Sequence, residues 1–196
     1  MGQAVSESSR SFDRRRADAY DQVDSLAWRA WARKIKNHTL TNLDRYLEEA
    51  EDRLIENGAH VHWAEDGREA LSVLESVVTA HGIKRAVKAK SMLTEELGLN
   101  RFLEGMGVGI RETDLGEYII QLLGEDPSHI VAPAIHRSVA DCQALFHREL
   151  GTPPDADPDQ LAAAARTALR EEFLSADLGI SGGNFLVAET GTLALV

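Results

Sequence analysis

Apolar positions first recur at helical spacing between Leu26 and Asn57. Leu40, Leu43, Leu47, Ala50 and Leu54 fall three and four apart, which places them on one helix face. Trp28, Trp31 and Ile35 start an earlier apolar stripe, and such a stripe predicts packing against the rest of the chain, with partner binding as the alternative. Gly58 is a C-terminal stop. The preceding residues 1–24 are polar and predict a mobile arm or a loosely held helix.

After Gly58 the pattern becomes one of short apolar runs alternating with longer helical stretches. Ala59–Ala64 predicts a strand, Gly67–Ala80 a helix closed by Gly82, and Ile83–Ala89 a second strand. A helix over Thr94–Gly105, a strand over Val108–Thr113 and a short helix over Leu115–Leu123 follow. His129–Ala134 reads as a fourth strand and Ser138–Leu150 as a helix. A turn-rich connector then leads to an alanine-rich helix over Asp159–Ala176. Asp177–Ser181 reads as a strand, and Phe185–Ala188 with Leu193–Val196 as a hairpin or one bent strand. Strands alternating with helices of this length imply right-handed βαβ units and an α/β fold with a mainly parallel sheet. The division expected is an N-terminal arm with helices over 1–57 and an α/β domain over 58–196. The last apolar run reaches Val196 with no polar tail, which predicts ladder groups in need of a further partner and a native polypeptide that continues.

Composition narrows the function classes. Thirty-two acidic residues against 21 basic ones give a formal net charge of -11, which argues against general nucleic-acid or anionic-membrane binding. Cys142 is the sole cysteine, so no internal disulfide can form. No apolar stretch approaches the roughly 20 residues of a membrane span, and the serine- and arginine-rich start lacks the apolar segment of a secretory signal. Cytoplasm is the expected location.

Three segments are placed to carry chemistry. Lys88 and Lys90 are two apart, share a strand face, and stand just before a helix that Ser91 or Thr94 can cap. In open parallel sheets the carboxyl edge is where ligands bind. Solvated lysines at an exposed strand end are the alternative. Asp114 and Glu117 also follow a strand; they resemble a capping box, and can equally be paired carboxylates lining the same cleft. Gly182, Gly183 and Asn184, with Glu189 and Thr190, form a turn-rich pair of segments in which a backbone can approach a ligand or simply turn. Successive parallel strands should bring Lys88, Lys90, Ser91, Asp114, Glu117 and Asn184 to one edge, either in a pocket suited to a small anionic metabolite held by the lysines or as an ion-pair network without a cavity. His60 and His62 share a face if extended, but two histidines make a weak metal site, and no metal is expected. His129 and His136 bracket a strand and fit a structural role, with lining of the cleft as the alternative, and Cys142 fits a small buried hydrophobe.

The runs Lys88–Glu96, Glu112–Ile119, Pro127–His136, and Gly182–Phe185 through Glu189–Thr192 resemble, in this order, the LUD domain of the lactate-utilisation protein B family. The resemblance covers Leu26 to Val196. It implies a three-layer α/β/α fold of the NagB/RpiA/CoA-transferase-like group. It also implies an iron–sulfur electron-transfer role in the oxidation of L-lactate to pyruvate, alongside other subunits of the lactate-utilisation system. Family proteins carry two 4Fe–4S clusters on ferredoxin-like cysteine motifs in a later part of the chain. Those motifs are absent from these residues, so no cofactor is expected here. A stand-alone enzyme acting on a small anion, phosphosugar or CoA-linked substrate, suggested by fold analogy alone, and a non-catalytic assembly module are the alternatives.

Overall fold

The structure is a computed structural model and describes residues 2–128 and 132–195, apart from the side chains of residues 2–4, 7 and 8. The chain divides into two compact units, one formed by residues 64–182 with the first six residues, the other by residues 7–63 and 183–196.

The larger unit is the α/β part. Asp66 accepts a hydrogen bond from the Glu69 N–H and caps helix α4 (Gly67–His81), which ends at Gly82 in the left-handed region. The helices before it, α1 (Gly2–Asp21), α2 (Ser25–Thr41) and α3 (Leu43–Glu56), are described with the second unit below. Strand β1 (Arg85–Lys88) follows α4, then the short helices α5 (Met92–Glu96) and α6 (Leu99–Gly105), strand β2 (Gly109–Glu112) and helix α7 (Leu115–Leu123). Helices α8 (Val139–Leu150) and α9 (Pro158–Ser175) lead to strand β3 (Leu178–Ile180). The three strands form a parallel sheet in the order β2-β1-β3, with helices covering it in a three-layer α/β/α arrangement.

Two apolar clusters hold this unit together. Val78, Ile83, Ala86, Leu99, Leu103, Val108 and Ile110 form one, joining α4 and α6 to β1 and β2. Tyr118, Ile119, Leu145, Phe146, Leu161, Ala165 and Leu169 belong to the other, which ties α7 to α8 and α9. A parallel sheet is stable when both faces are covered in this way.

Two local expectations are corrected. Ala59–Ala64 is not a strand; its alternation of apolar residues lacks a neighbouring strand, and Trp63 instead donates its indole N–H to Glu51 at 3.0 Å. The helix expected over Thr94–Gly105 is broken in two, because Gly98 takes a left-handed conformation at φ 64° that caps α6. For the strand expected at His129–Ala134, residues 129–131 lie outside the described residues, and 133–136 form turns.

The second unit contains α2, α3, most of α1 and an antiparallel hairpin of β4 (Phe185–Val187) and β5 (Thr192–Ala194). The polar N-terminal stretch is helical, as α1. Of the expected apolar face, Ala50 is buried and Leu47 and Leu54 are half-buried, whereas Leu40 and Leu43, either side of the break between α2 and α3, are exposed. Helix α2 buries no residue. Trp28 and Trp31 meet edge to face at 5.7 Å yet remain 60% and 58% exposed, so the first apolar stripe does not pack as expected. The Asn57 side chain donates to the Thr190 carbonyl at 2.9 Å, and Gly191 lies close against the Arg53–Leu54 backbone.

Candidate functional site

The site starts from strand register. In the β1–β2 pair Lys88 stands beside Glu112, as Ala86 stands beside Ile110. Side chains alternate along a strand, so all four share one face. Ala86 and Ile110 point into the apolar cluster, and the same pleat therefore carries Lys88 and Glu112 inward. Both are buried, Lys88 completely.

The buried ammonium is enclosed by acids delivered from three directions. Lys88 Nζ lies 2.7 Å from Glu95 Oε1 in α5, 3.0 Å from Glu112 Oε1 in β2 and 3.7 Å from Glu117 Oε2 in α7. Lys90 Nζ lies 3.8 Å from Glu117 Oε1. The Asn100 amide donates to Glu112 Oε1 at 2.6 Å. Isolated burial of an ammonium costs several kcal/mol, and close carboxylates offset that penalty. Burial by itself lowers the Lys88 pKa; the hydrogen bonds to Glu95 and Glu112 outweigh it and hold the ammonium above its ordinary range. Glu117 goes the other way for an acid. Burial first, and then the neighbouring Glu112 charge, push its carboxyl up to about 7, against the pull of Lys88.

One oxygen from each of Glu95, Glu112 and Glu117 lies within 4.8 Å of the others. That spacing suits a cation, and the cation found there is the Lys88 ammonium, within 3.7 Å of all three acids. The Lys88 ammonium thus finds its counter-charges within the chain. Beside it opens a cavity of about 410 Å³. Among the described residues, Glu95, Glu104, Glu112, Glu117, Glu125 and Asp126 line it against a single basic side chain, Arg101. Such a wall disfavours anions.

The carboxyl edge of the sheet gathers five of the residues expected there. Lys88, Lys90 and Glu117 meet directly. Ser91 accepts from the Thr94 N–H and caps α5. Asp114 accepts from the Glu117 N–H at 3.1 Å and caps α7. The Glu117 side chain reaches the two lysines, and the capping is one-sided. Gly182 approaches the same edge: a Cβ there would come within 3.1 Å of Ser91 Oγ. Gly183, Asn184, Glu189 and Thr190 belong to the second unit. There the Asn184 N–H donates to Ala194 and closes the hairpin.

Sequence reasoning missed Glu95, Glu112 and Asn100 as site residues. A signal for Glu112 existed: with Ile110 it occupies alternate positions of one strand, so an inward apolar residue implies an inward acid. Nothing in the sequence pairs Asn100 with that acid.

His60 and His62 are exposed and belong to no metal-capable group among the described residues. His136 accepts or donates to Ser128 Oγ at 2.6 Å and to Glu125 at 3.2 Å, and Glu125 also pairs with Arg137. His129 lies outside the described residues. Cys142 is half-buried on α8; burial first, then the Asp141 charge, push its thiol above the ordinary range, which suppresses thiolate chemistry. Among the described residues no helix is long and apolar enough to cross a membrane.

A parallel sheet with helices covering it and charged residues gathered at its carboxyl edge defines an α/β domain. The chain belongs to the LUD domain family, whose pattern matches residues 47–196. It is 42% identical to lactate utilization protein B of Geobacillus sp. (strain WCH70), across 100% of this chain and 42% of that protein. It is 45% identical to lactate utilization protein B of Geobacillus thermodenitrificans (strain NG80-2), across 86% of this chain and 36% of that protein. An uncharacterized electron transport protein of Escherichia coli (strain K12), YkgF, is 41% identical across 92% of this chain and 39% of its own length. The chain therefore spans less than half the length of these relatives. No solved structure matches it.

Proposed function

We propose that this chain is the LUD-domain portion of an iron–sulfur electron-transfer protein that serves L-lactate oxidation to pyruvate. The observation that carries this is the 42% identity to a lactate utilization protein B along the whole chain. The name of the Escherichia coli relative, an electron transport protein, supports the redox half of the reading. A 4Fe–4S cluster takes four cysteine ligands, and Cys142 cannot supply them. The residues present do not fit a cluster, and the reading places the clusters outside these 196 residues. The domain's part is then to contribute the cleft and to dock with the other subunits of the system.

A segment exchange tests the reading. In a bacterium that grows on L-lactate through its own lactate utilization protein B, this chain replaces the matching segment. Growth on L-lactate is the expected outcome. A stable, normally expressed chimera that fails on L-lactate while growing on pyruvate would refute the assignment. Anaerobic reconstitution of the isolated chain with iron and sulfide should leave it colourless. Stoichiometric iron with visible absorption would refute the placement of the clusters.

A further inference from the structure

We propose that Glu112 and Glu117 share a single proton at neutral pH, and that this carboxyl pair is the acid–base group of the adjacent cavity, donating to an acceptor oxygen of a small neutral molecule bound there. The inference stands independently of the lactate-utilisation reading.

Three geometric observations carry it. The first is an orphaned atom. Glu112 Oε1 takes hydrogen bonds from Lys88 and Asn100, but Glu112 Oε2 is buried and has no donor. A buried acceptor left without a donor costs about 1–3 kcal/mol, and more when charged. Glu117 brings a second carboxyl beside it: an oxygen of Glu112 and one of Glu117 lie within 4.8 Å of each other, and the two side chains are hydrogen-bonding neighbours. A proton on Glu117 turns that neighbour from a repelling charge into a donor.

The second is the count of charges. Glu95, Glu112 and Glu117 face the two ammonium groups of Lys88 and Lys90. Three carboxylates exceed two cations by one, and one proton restores balance where solvent screening is weakest. Asp114 lies at the same helix start, but its carboxylate is engaged by the Glu117 N–H. Asn100, from α6, is neutral. Among the described residues, Arg101, Glu104, Glu125 and Asp126 are the further charged groups lining the same cavity.

The third is access. Glu112 and Glu117 both line the cavity of about 410 Å³. A molecule there meets a carboxylic acid at neutral pH instead of a carboxylate. Carboxyl pairs that share one proton are a recurrent way to keep an acid ready at neutral pH. The elevated Glu117 pKa agrees with the geometry. The acidic wall disfavours anions, so the class of ligand is a small neutral carbonyl or hydroxyl compound.

The test uses the full 196-residue chain and two readouts. Side-chain carboxyl NMR of glutamate-labelled protein follows ionisation directly. One glutamate should titrate near pH 7, disappear in Glu117→Gln, and move at least one pH unit lower in Glu112→Gln. Labelling with a carbodiimide, which attacks protonated carboxyls, probes access. At pH 7 Glu117 should be the most reactive glutamate, and its labelling should fall about tenfold for each pH unit well above its midpoint. A Glu117 that is fully ionised at pH 6 overturns the shared proton. A midpoint near 7 that Glu112→Gln leaves in place overturns the pairing. A protonated Glu117 that resists the reagent overturns the cavity role. Should a variant not fold, the wild-type titration and labelling decide alone.

Discussion

The sheet unit and the helix–hairpin unit use the same kinds of residues to opposite ends. In residues 64–182, Val78, Leu99, Leu103, Leu145 and Phe146 are exposed by 4% or less. Trp28, Trp31, Leu40, Phe185 and Leu193 of the other unit are exposed by 57–66%. Charge is inverted as well. The sheet unit buries a lysine and two glutamates, whereas the ion pairs of α1 and α3, such as Arg53–Glu56, are solvated. The difference teaches that periodicity reports an apolar face and says nothing about whether a partner covers it. A parallel sheet must be covered on both faces, so burial follows from topology. A helix such as α2 is under no equivalent constraint.

The comparison breaks most sharply at Lys88. Lys88→Met leaves Glu95, Glu112 and Glu117 without their shared cation. The expected loss is about 3–5 kcal/mol, the range for removing one partner of a buried ion pair. Denaturant unfolding followed by circular dichroism measures it. A loss below about 1 kcal/mol would show that the cluster is as solvated as the surface pairs.

Leu103→Ala probes the apolar half of the same unit. Leu103 is wholly buried, and truncation should cost about 2–5 kcal/mol. The same measurement checks it, and a near-neutral result would mean that α6 does not hold the core.

Stability against pH sharpens the electrostatic contrast. The Glu117 carboxyl has its pKa raised from 4.5 to about 7, so the folded state binds this proton more tightly than the unfolded chain. Its contribution is fully present below pH 4.5 and is lost as pH rises through about 7. The swing is on the order of 3 kcal/mol. Glu117→Gln should flatten that part of the stability–pH curve, and an unchanged slope would remove Glu117 as its source.

In the second unit the most sensitive position should be a glycine. Gly191 has φ +63°, and a Cβ there would sit 2.8 Å from backbone atoms of Arg53 and Leu54. Gly191→Ala should cost at least about 1–2 kcal/mol, with faster amide exchange in β4 and β5 and little change in β1. The smallest effect belongs to the exposed stripe. Trp31→Ala should change stability by less than about 1 kcal/mol. A larger loss in the same unfolding experiment would show that Trp31 is covered in solution.

Much of the larger unit was legible because its helices carry their own punctuation. Asp66, Asp114, Ser138 and Asp157 each cap a start, and Gly82, Gly124 and Gly151 close three of the ends in the left-handed region. Helix α7 spans Leu115–Leu123, as the pattern predicts. The misses were non-local. Ala59–Ala64 alternates like a strand, but a strand needs a neighbour, and alternation within six residues cannot supply one. Gly98 is tolerated inside a helical pattern, and its left-handed turn depends on how α5 and α6 pack.

The sequence by itself determined the α/β class, the family and part of the charged set at the carboxyl edge, Lys88, Lys90, Asp114 and Glu117, because local propensity, capping and motif order are written in neighbouring residues. Only the tertiary structure decided what those charges do. Lys88 was legible as a candidate anchor for an anion. The β1–β2 register places it beside Glu112, the turn into α5 delivers Glu95, and the start of α7 delivers Glu117. Which acids meet a buried ammonium depends on distances between segments 7 to 29 residues apart. No local pattern encodes those distances, and they convert an expected anion anchor into the internal counter-ion of a proton-holding acid cluster.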